Sequence, residues 1–168
     1  MNSAAIYAGS FDPMTSGHLD VVERAVRIFP RVVVAVAKAS HKKTLFDVDE
    51  RVAIARAAVQ DMAGVEAEPF DGLLVDYARA KGIHVVVRGL RAFSDFEFEF
   101  QMALTNRKMA PDVETLFLMP KEEYSYISSS TIREIAALGG DVAGFAPRAS
   151  VDALRRKLSG RPIADAGT

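Results

Sequence analysis

The ten residues Gly9-Ser10-Phe11-Asp12-Pro13-Met14-Thr15-Ser16-Gly17-His18 combine the parts of a phosphate cradle. Gly9 lets backbone N–H groups come close to an anion, Pro13 stiffens the turn, and Gly17 removes a side chain. His18 then sets an imidazole at the start of a helix, beside free N–H groups and the positive dipole end. An imidazole there can donate a hydrogen bond to charge growing on a phosphate oxygen, or it can simply bond to a neighbouring loop. Asp12 in the same stretch reads as a turn former that bonds its own backbone.

Anion-binding groups recur downstream. Lys42 and Lys43 are compact charges in one loop, and Arg88 and Arg91 flank a small hinge at Gly89-Leu90. Two guanidiniums so placed suit a polyphosphate. The run Tyr124-Ser125-Tyr126-Ile127-Ser128-Ser129-Ser130-Thr131 opens a helix, where serines serve either an anion or an ordinary N-cap. His84 reads as structural at the head of a buried strand, and His41 has no evident partner. No His, Asp and Glu set has metal-ligand spacing. The dinucleotide and P-loop glycine patterns and the G-x-S-x-G elbow are missing, which argues against a standard dehydrogenase, a P-loop ATPase and a serine hydrolase.

Short β-rich runs alternating with helical patterns must position these groups, the signature of an α/β fold. The runs Ala4 to Ala8, Val32 to Ala37, Val65 to Pro69, His84 to Arg88 and Thr115 to Leu118 predict five parallel strands. Their unbroken valines imply cover on both faces, hence a doubly wound, Rossmann-like five-stranded sheet. Helices are expected near Ser16 to Phe29, Asp49 to Met62, Leu73 to Lys81 and Asp95 to Met109. Two C-terminal ones follow, near Ser130 to Leu138 and Ser150 to Leu158. Asp47 with Glu50, and Ser94 with Glu97, have capping-box spacing. Phe96, Phe100 and Leu104 share one helical stripe, and core packing is the expected fate of Phe93 and Phe98. In such a sheet ligands bind beyond the carboxyl ends of the strands, and the cationic and hydroxyl-rich loops follow the first, second, fourth and fifth strands.

The chain's 168 residues suit one domain, expected over residues 1–158 with a flexible tail from Ser159 to Thr168. A net charge of −1 offers no general attraction for nucleic acid, and the absence of cysteine removes disulfide and thiolate chemistry. With no signal-like N-terminus and no run long enough to span a bilayer, a cytoplasmic protein without membrane contact is expected.

Thr15-Ser16-Gly17-His18 resembles the [HT]-x-G-H motif of a nucleotidyltransferase superfamily. Phe46-Asp47-Val48-Asp49-Glu50-Arg51, Arg88-Gly89-Leu90-Arg91, Asp95-Phe96-Glu97-Phe98-Glu99 and Ile127-Ser128-Ser129-Ser130 narrow the likeness to the bacterial phosphopantetheine adenylyltransferases. That resemblance, running from about Ala5 to Leu158, implies transfer of the adenylyl group of ATP to 4'-phosphopantetheine, giving dephospho-coenzyme A and pyrophosphate. It implies His18 and Lys42 as catalytic residues, with Ser10 assisting, Arg88 on the acceptor phosphate and Leu74 along the pantetheine arm. ATP would be met by Ser10, Phe11, His18, Gly89, Leu90, Arg91 and Glu99 and enclosed by Tyr124 to Ser130. The imidazole is expected neutral, its pKa lowered by the helix N-terminus. Mg2+ would arrive with ATP, held by phosphate and water. A homohexamer, and coenzyme A or dephospho-coenzyme A as product or feedback ligand, belong to the same implication. Ser10 stands where many relatives have Thr, which keeps the hydroxyl, and Thr15 replaces the superfamily's first histidine.

Overall fold

The structure, a computed structural model, describes residues 4–38 and 43–159, apart from the side chains of Phe93 and Ser94. Five parallel strands form one sheet in the order β3-β2-β1-β4-β5: β1 (Ala4–Gly9), β2 (Arg31–Ala37), β3 (Val65–Phe70), β4 (Val85–Gly89) and β5 (Glu114–Leu118). Side chains alternate through the sheet. Ala5, Tyr7, Val32, Val34 and Val87 meet α1 (Ser16–Ala25) and α2 (Val48–Val59) on one face. Ile6, Ala8, Val33 and Val86 meet α3 (Leu74–Ala80) and the segment after α4 (Phe93–Met109) on the other. Both faces are covered, which explains the uninterrupted valines.

The chain builds β1, β2 and β3 outward in one direction, then returns to the other side of β1 with β4. That reversal parts the loops after β1 and β4 and opens a crevice between them. Ile6 pairs with Val86 and Tyr7 with Val87, so the Gly9–His18 turn and Arg88 leave the sheet side by side. A separate apolar cluster joins α5 (Ser129–Ala137) and α6 (Arg148–Leu158) to Phe46 and Ile54. It carries α5 back over the crevice.

Several elements depart from expectation. The first helix stops at Ala25, and α2 covers Val48 to Val59. Asp47 and Glu50 do form the reciprocal box, each side chain accepting the other's N–H at 2.9 Å. The fourth helix begins at Phe93 after an Ala92 N-cap, so Ser94 lies inside its first turn and is no cap. His84 precedes β4 and is exposed, its Nδ1 3.1 Å from the Asp112 carbonyl oxygen. Phe98 is 61% exposed, and Phe96 and Phe100 stack on each other outside the core. Residues 160–168 of the expected tail, and His41 and Lys42, lie outside the described residues, as does the side chain of Phe93. Among the described residues no helix is long and apolar enough to cross a membrane.

Candidate active site

A cavity of about 330 Å3 opens at the β1/β4 crevice. Its size fits a small-molecule site, and it lies where the strand order reverses. Of the residues expected there, Ser10, Phe11, His18, Arg88 and Gly89 line it, as do Arg91, Glu99, Tyr124 and Ile127 to Ser130. Leu90, Ser125 and Tyr126 follow the same loops but stand back from the wall, Tyr126 at 70% exposure. Leu74 opens α3 and packs on the opposite apolar layer.

The turn after β1 is held in an unusual conformation. Phe11 has φ of 47°, in the left-handed region that L residues enter rarely, and the Asp12–Pro13 peptide is cis. A Cβ on Gly9 would lie 3.1 Å from the Phe11 ring, so this glycine makes room for that ring as much as for an anion. Asp12 is no local turn former. Its buried carboxylate accepts the N–H groups of Leu45 and Phe46, both at 2.9 Å, and ties the turn to the loop before α2. Buried Arg51 completes that tie by donating to the carbonyls of Phe46, Ser10 and Ala37. The loop carrying Lys43 and Thr44, both in the cavity wall, is thereby anchored to Ser10.

His18 sits at the third position of α1, and Thr15 is the N-cap. The Thr15 N–H donates to His18 Nδ1 at 3.0 Å, while the His18 N–H donates to Thr15 Oγ1 at 3.2 Å. Histidine thus takes the part that glutamate or glutamine usually plays in a capping box. Because Nδ1 is an acceptor, the neutral ring carries its proton on Nε2. Burial, then the positive charges of Arg91 and Arg88, lower its pKa to about 4. Burial and the two arginines thus favour the neutral imidazole, where the sequence pointed to the helix N-terminus as the cause.

Arg88 Nε and Nη2 donate to the two carboxylate oxygens of Glu99 at 2.8 and 2.6 Å, and Nη1 donates to the Ala8 carbonyl at 2.6 Å. The buried Glu99 is therefore spent on orienting Arg88. Arg91 is held alike: Nε donates to Asp95 at 2.8 Å and Nη1 to the Ile127 carbonyl at 2.8 Å. That second bond draws the segment before α5 toward the loop after β4. Asp20 does the same from α1, accepting the Lys121 N–H at 3.0 Å.

The serines at α5 divide their work. Ser128 is the N-cap, accepting the Thr131 N–H at 3.0 Å, and Ser129 donates to the Pro13 carbonyl at 2.8 Å. Arg133, which sequence reasoning missed because it lies one turn inside the helix, also reaches the cavity. No motif flagged it; only its i, i+4 spacing from Ser129 puts it on the face toward the turn. Among the described residues no cluster of His, Asp and Glu could hold a metal, since Asp12, Asp95 and Glu99 are each paired with an arginine.

A crevice at the switch point, a neutral imidazole donor and clamped guanidiniums define a nucleotidyl-transfer site on a Rossmann-like sheet. The profile of the family described as Cytidylyltransferase-like matches residues 6–135. A structure from Vibrio parahaemolyticus, assigned as a nicotinate-nucleotide adenylyltransferase, shares the fold with a TM-score of 0.70 at 19% identity, over 97% of this chain and 98% of that one. The phosphopantetheine adenylyltransferase of Methylococcus capsulatus is 57% identical over 95% of this chain and 99% of its own. That of Alkalilimnicola ehrlichii is 54% identical over 95% and 93%. The chain belongs to the phosphopantetheine adenylyltransferases, within the Cytidylyltransferase-like family.

Proposed function

We infer that the protein transfers the adenylyl group of ATP to 4'-phosphopantetheine, giving dephospho-coenzyme A and pyrophosphate in coenzyme A synthesis. The observation that carries the mechanism is the His18–Thr15 box, which leaves Nε2–H as a donor while Nδ1 is occupied. An oxygen of the acceptor's phosphate monoester attacks the α-phosphorus. The bond from that phosphorus to the bridging oxygen breaks, and its electron pair leaves with pyrophosphate. The nucleophile is already anionic at neutral pH, so no base is needed; the work is placement and charge stabilisation. His18 Nε2–H donates to the α-phosphate oxygen as charge builds there.

Arg88 takes the acceptor phosphate, preset by Glu99 and the Ala8 carbonyl. Lys42 spans that phosphate and the α-phosphate with help from Ser10, and Leu74 borders the pantetheine arm. Arg91, Gly89, Leu90 and the Phe11 main chain meet ATP, Tyr124 to Ser130 enclose it, and Glu99 acts through Arg88. Mg2+ travels with ATP on phosphate oxygens and water, because the cavity's carboxylates are committed to arginines. The site is cytoplasmic, and coenzyme A or dephospho-coenzyme A can return to it as product or feedback ligand. The apolar side chains that α4 leaves exposed, Phe96, Phe98, Met102 and Leu104 among them, support assembly as a homohexamer, which light scattering reads directly.

The test offers ATP with each of a panel of phosphorylated acceptors and follows pyrophosphate release. Release with 4'-phosphopantetheine and none with nicotinate mononucleotide is expected. The reverse pattern would sink the assignment.

A further inference from the structure

Arg51 is 2% exposed and lies behind the cavity wall. Among the described residues its side chain bonds only to backbone carbonyls: Nε donates to Phe46 at 3.2 Å, and Nη1 to Ser10 and Ala37, both at 2.8 Å. Burying a cation is costly, and an apolar side chain would fill the same space at less cost if packing were its only task. The three acceptors come from different segments. Ser10 belongs to the phosphate turn, while Ala37 and Phe46 bracket the loop of residues 38–45, so one guanidinium joins both ends of that loop to the turn. Phe46 is gripped from two further sides: its N–H donates to Asp12 at 2.9 Å, and its ring is buried in the α5–α6 cluster. At the near end the Lys38 N–H donates to the Phe70 carbonyl at 2.9 Å. The Asp47–Glu50 box fixes the start of α2, and with it the root of Arg51 one residue further on.

We propose that Arg51 is a positioning residue for the reaction, holding the cations of the 38–45 loop in line with Ser10 on the reacting phosphates, a reading that rests on the adenylyl transfer inferred above. Lys43 and Thr44 of that loop line the cavity, and Lys42 is the residue assigned to both phosphates. Arg51 stands behind them, so it acts through these groups and not on substrate. A cation that bridges two anions in an in-line displacement must be well placed, since an error of about 1 Å can cost about a hundredfold in rate. Joining the ends of the loop through one side chain removes freedom that substrate binding would otherwise have to remove.

The experiment uses Arg51→Lys and Arg51→Gln, both checked for folding by thermal melting and assayed well below the melt. Lysine keeps the charge but cannot reproduce the fork that reaches three carbonyls. The expected result in Arg51→Lys is kcat lower by about tenfold or more, with KM for ATP within about twofold of the parent. In a double-mutant cycle, adding Arg51→Lys to Lys42→Ala is expected to cost less than about twofold further, because the two act as one unit. Should Arg51→Lys not fold, Arg51→Gln must show the same pattern. A folded variant that melts lower yet keeps the parent's kcat, or a cycle in which the two losses simply multiply, would overturn the proposal. Backbone hydrogen exchange needs no turnover. The Leu45 and Phe46 amides of the parent are expected to exchange as slowly as those of β2, and in the folded variant faster by about tenfold or more with β2 unchanged. Fast exchange at Leu45 and Phe46 in the parent, or no change in the variant, would equally overturn it. Absence of pyrophosphate release by the parent would instead remove the adenylyl-transfer reading, so the two failures are told apart.

Discussion

At the scale of single residues, His18 shows how a backbone motif sets a side chain's chemistry. A capping box normally spends both partners on helix nucleation. Here it also fixes a tautomer, because the nitrogen that accepts the Thr15 N–H cannot carry the proton. The pKa near 4, against an ordinary 6.5, keeps that tautomer populated across physiological pH. The sign follows from proton uptake: between those values the unfolded chain binds the proton and the folded one does not. This contribution to stability is complete above about pH 6.5 and is lost as pH falls toward 4. In a nitrogen-15 NMR titration, His18 is expected to remain the neutral Nε2–H tautomer down to pH 5. A midpoint near 6.5 would contradict the geometry. His18 was legible in the sequence because glycine, proline and histidine at fixed offsets are local signals. Asp12 was misread for the same reason, since its partners Leu45 and Phe46 lie 33 and 34 positions away.

At the scale of elements, loops receive the chemistry and neighbouring helices fix its geometry. The fourth helix supplies Glu99 to Arg88, so the helix and the end of β4 act as one unit. Glu99→Gln removes the charge and half of the bidentate grip. KM for 4'-phosphopantetheine is expected to rise by about tenfold in steady-state rates, with KM for ATP nearly unchanged. A rise in the ATP constant alone would return Glu99 to direct nucleotide contact. Strand positions were readable from valine runs, and α2 from its Asp47–Glu50 box. The start of α4 was not, because Ala92 caps it without a side-chain bond and Arg91–Asp95 pairs across its first turn. Phe98 in the same helix was read as core, yet it is exposed, because an apolar side chain in a helix does not show what covers it. Arg133 escaped because an arginine inside a helix resembles any solvated cation until the fold sets it against Asp12.

At the scale of the whole molecule, the 3-2-1-4-5 strand order does the assembly. It brings residues near positions 10, 18 and 88 to one crevice, which the Asp12 bonds and the α5–α6 cluster complete with residues near 45 and 130. The fold class was readable from the alternation of elements; the pairings across the crevice were not, since they depend on three-dimensional proximity. Within this crevice the described arginines are paired with carboxylates, so binding relies on aimed N–H groups more than on raw positive charge, consistent with a chain of net charge −1. The chain has no cysteine, and the cavity's Ser128 and Ser129 hydroxyls are engaged in hydrogen bonds. The central claim is thus direct transfer by positioned anions, with neither a protein nucleophile nor a general base. The most direct measurement is the stereochemical course at the α-phosphorus, using ATP made chiral there by sulfur substitution and 4'-phosphopantetheine as acceptor. A single in-line displacement predicts inversion in the dephospho-coenzyme A analogue formed, whereas net retention would show an adenylyl-enzyme intermediate and contradict the account.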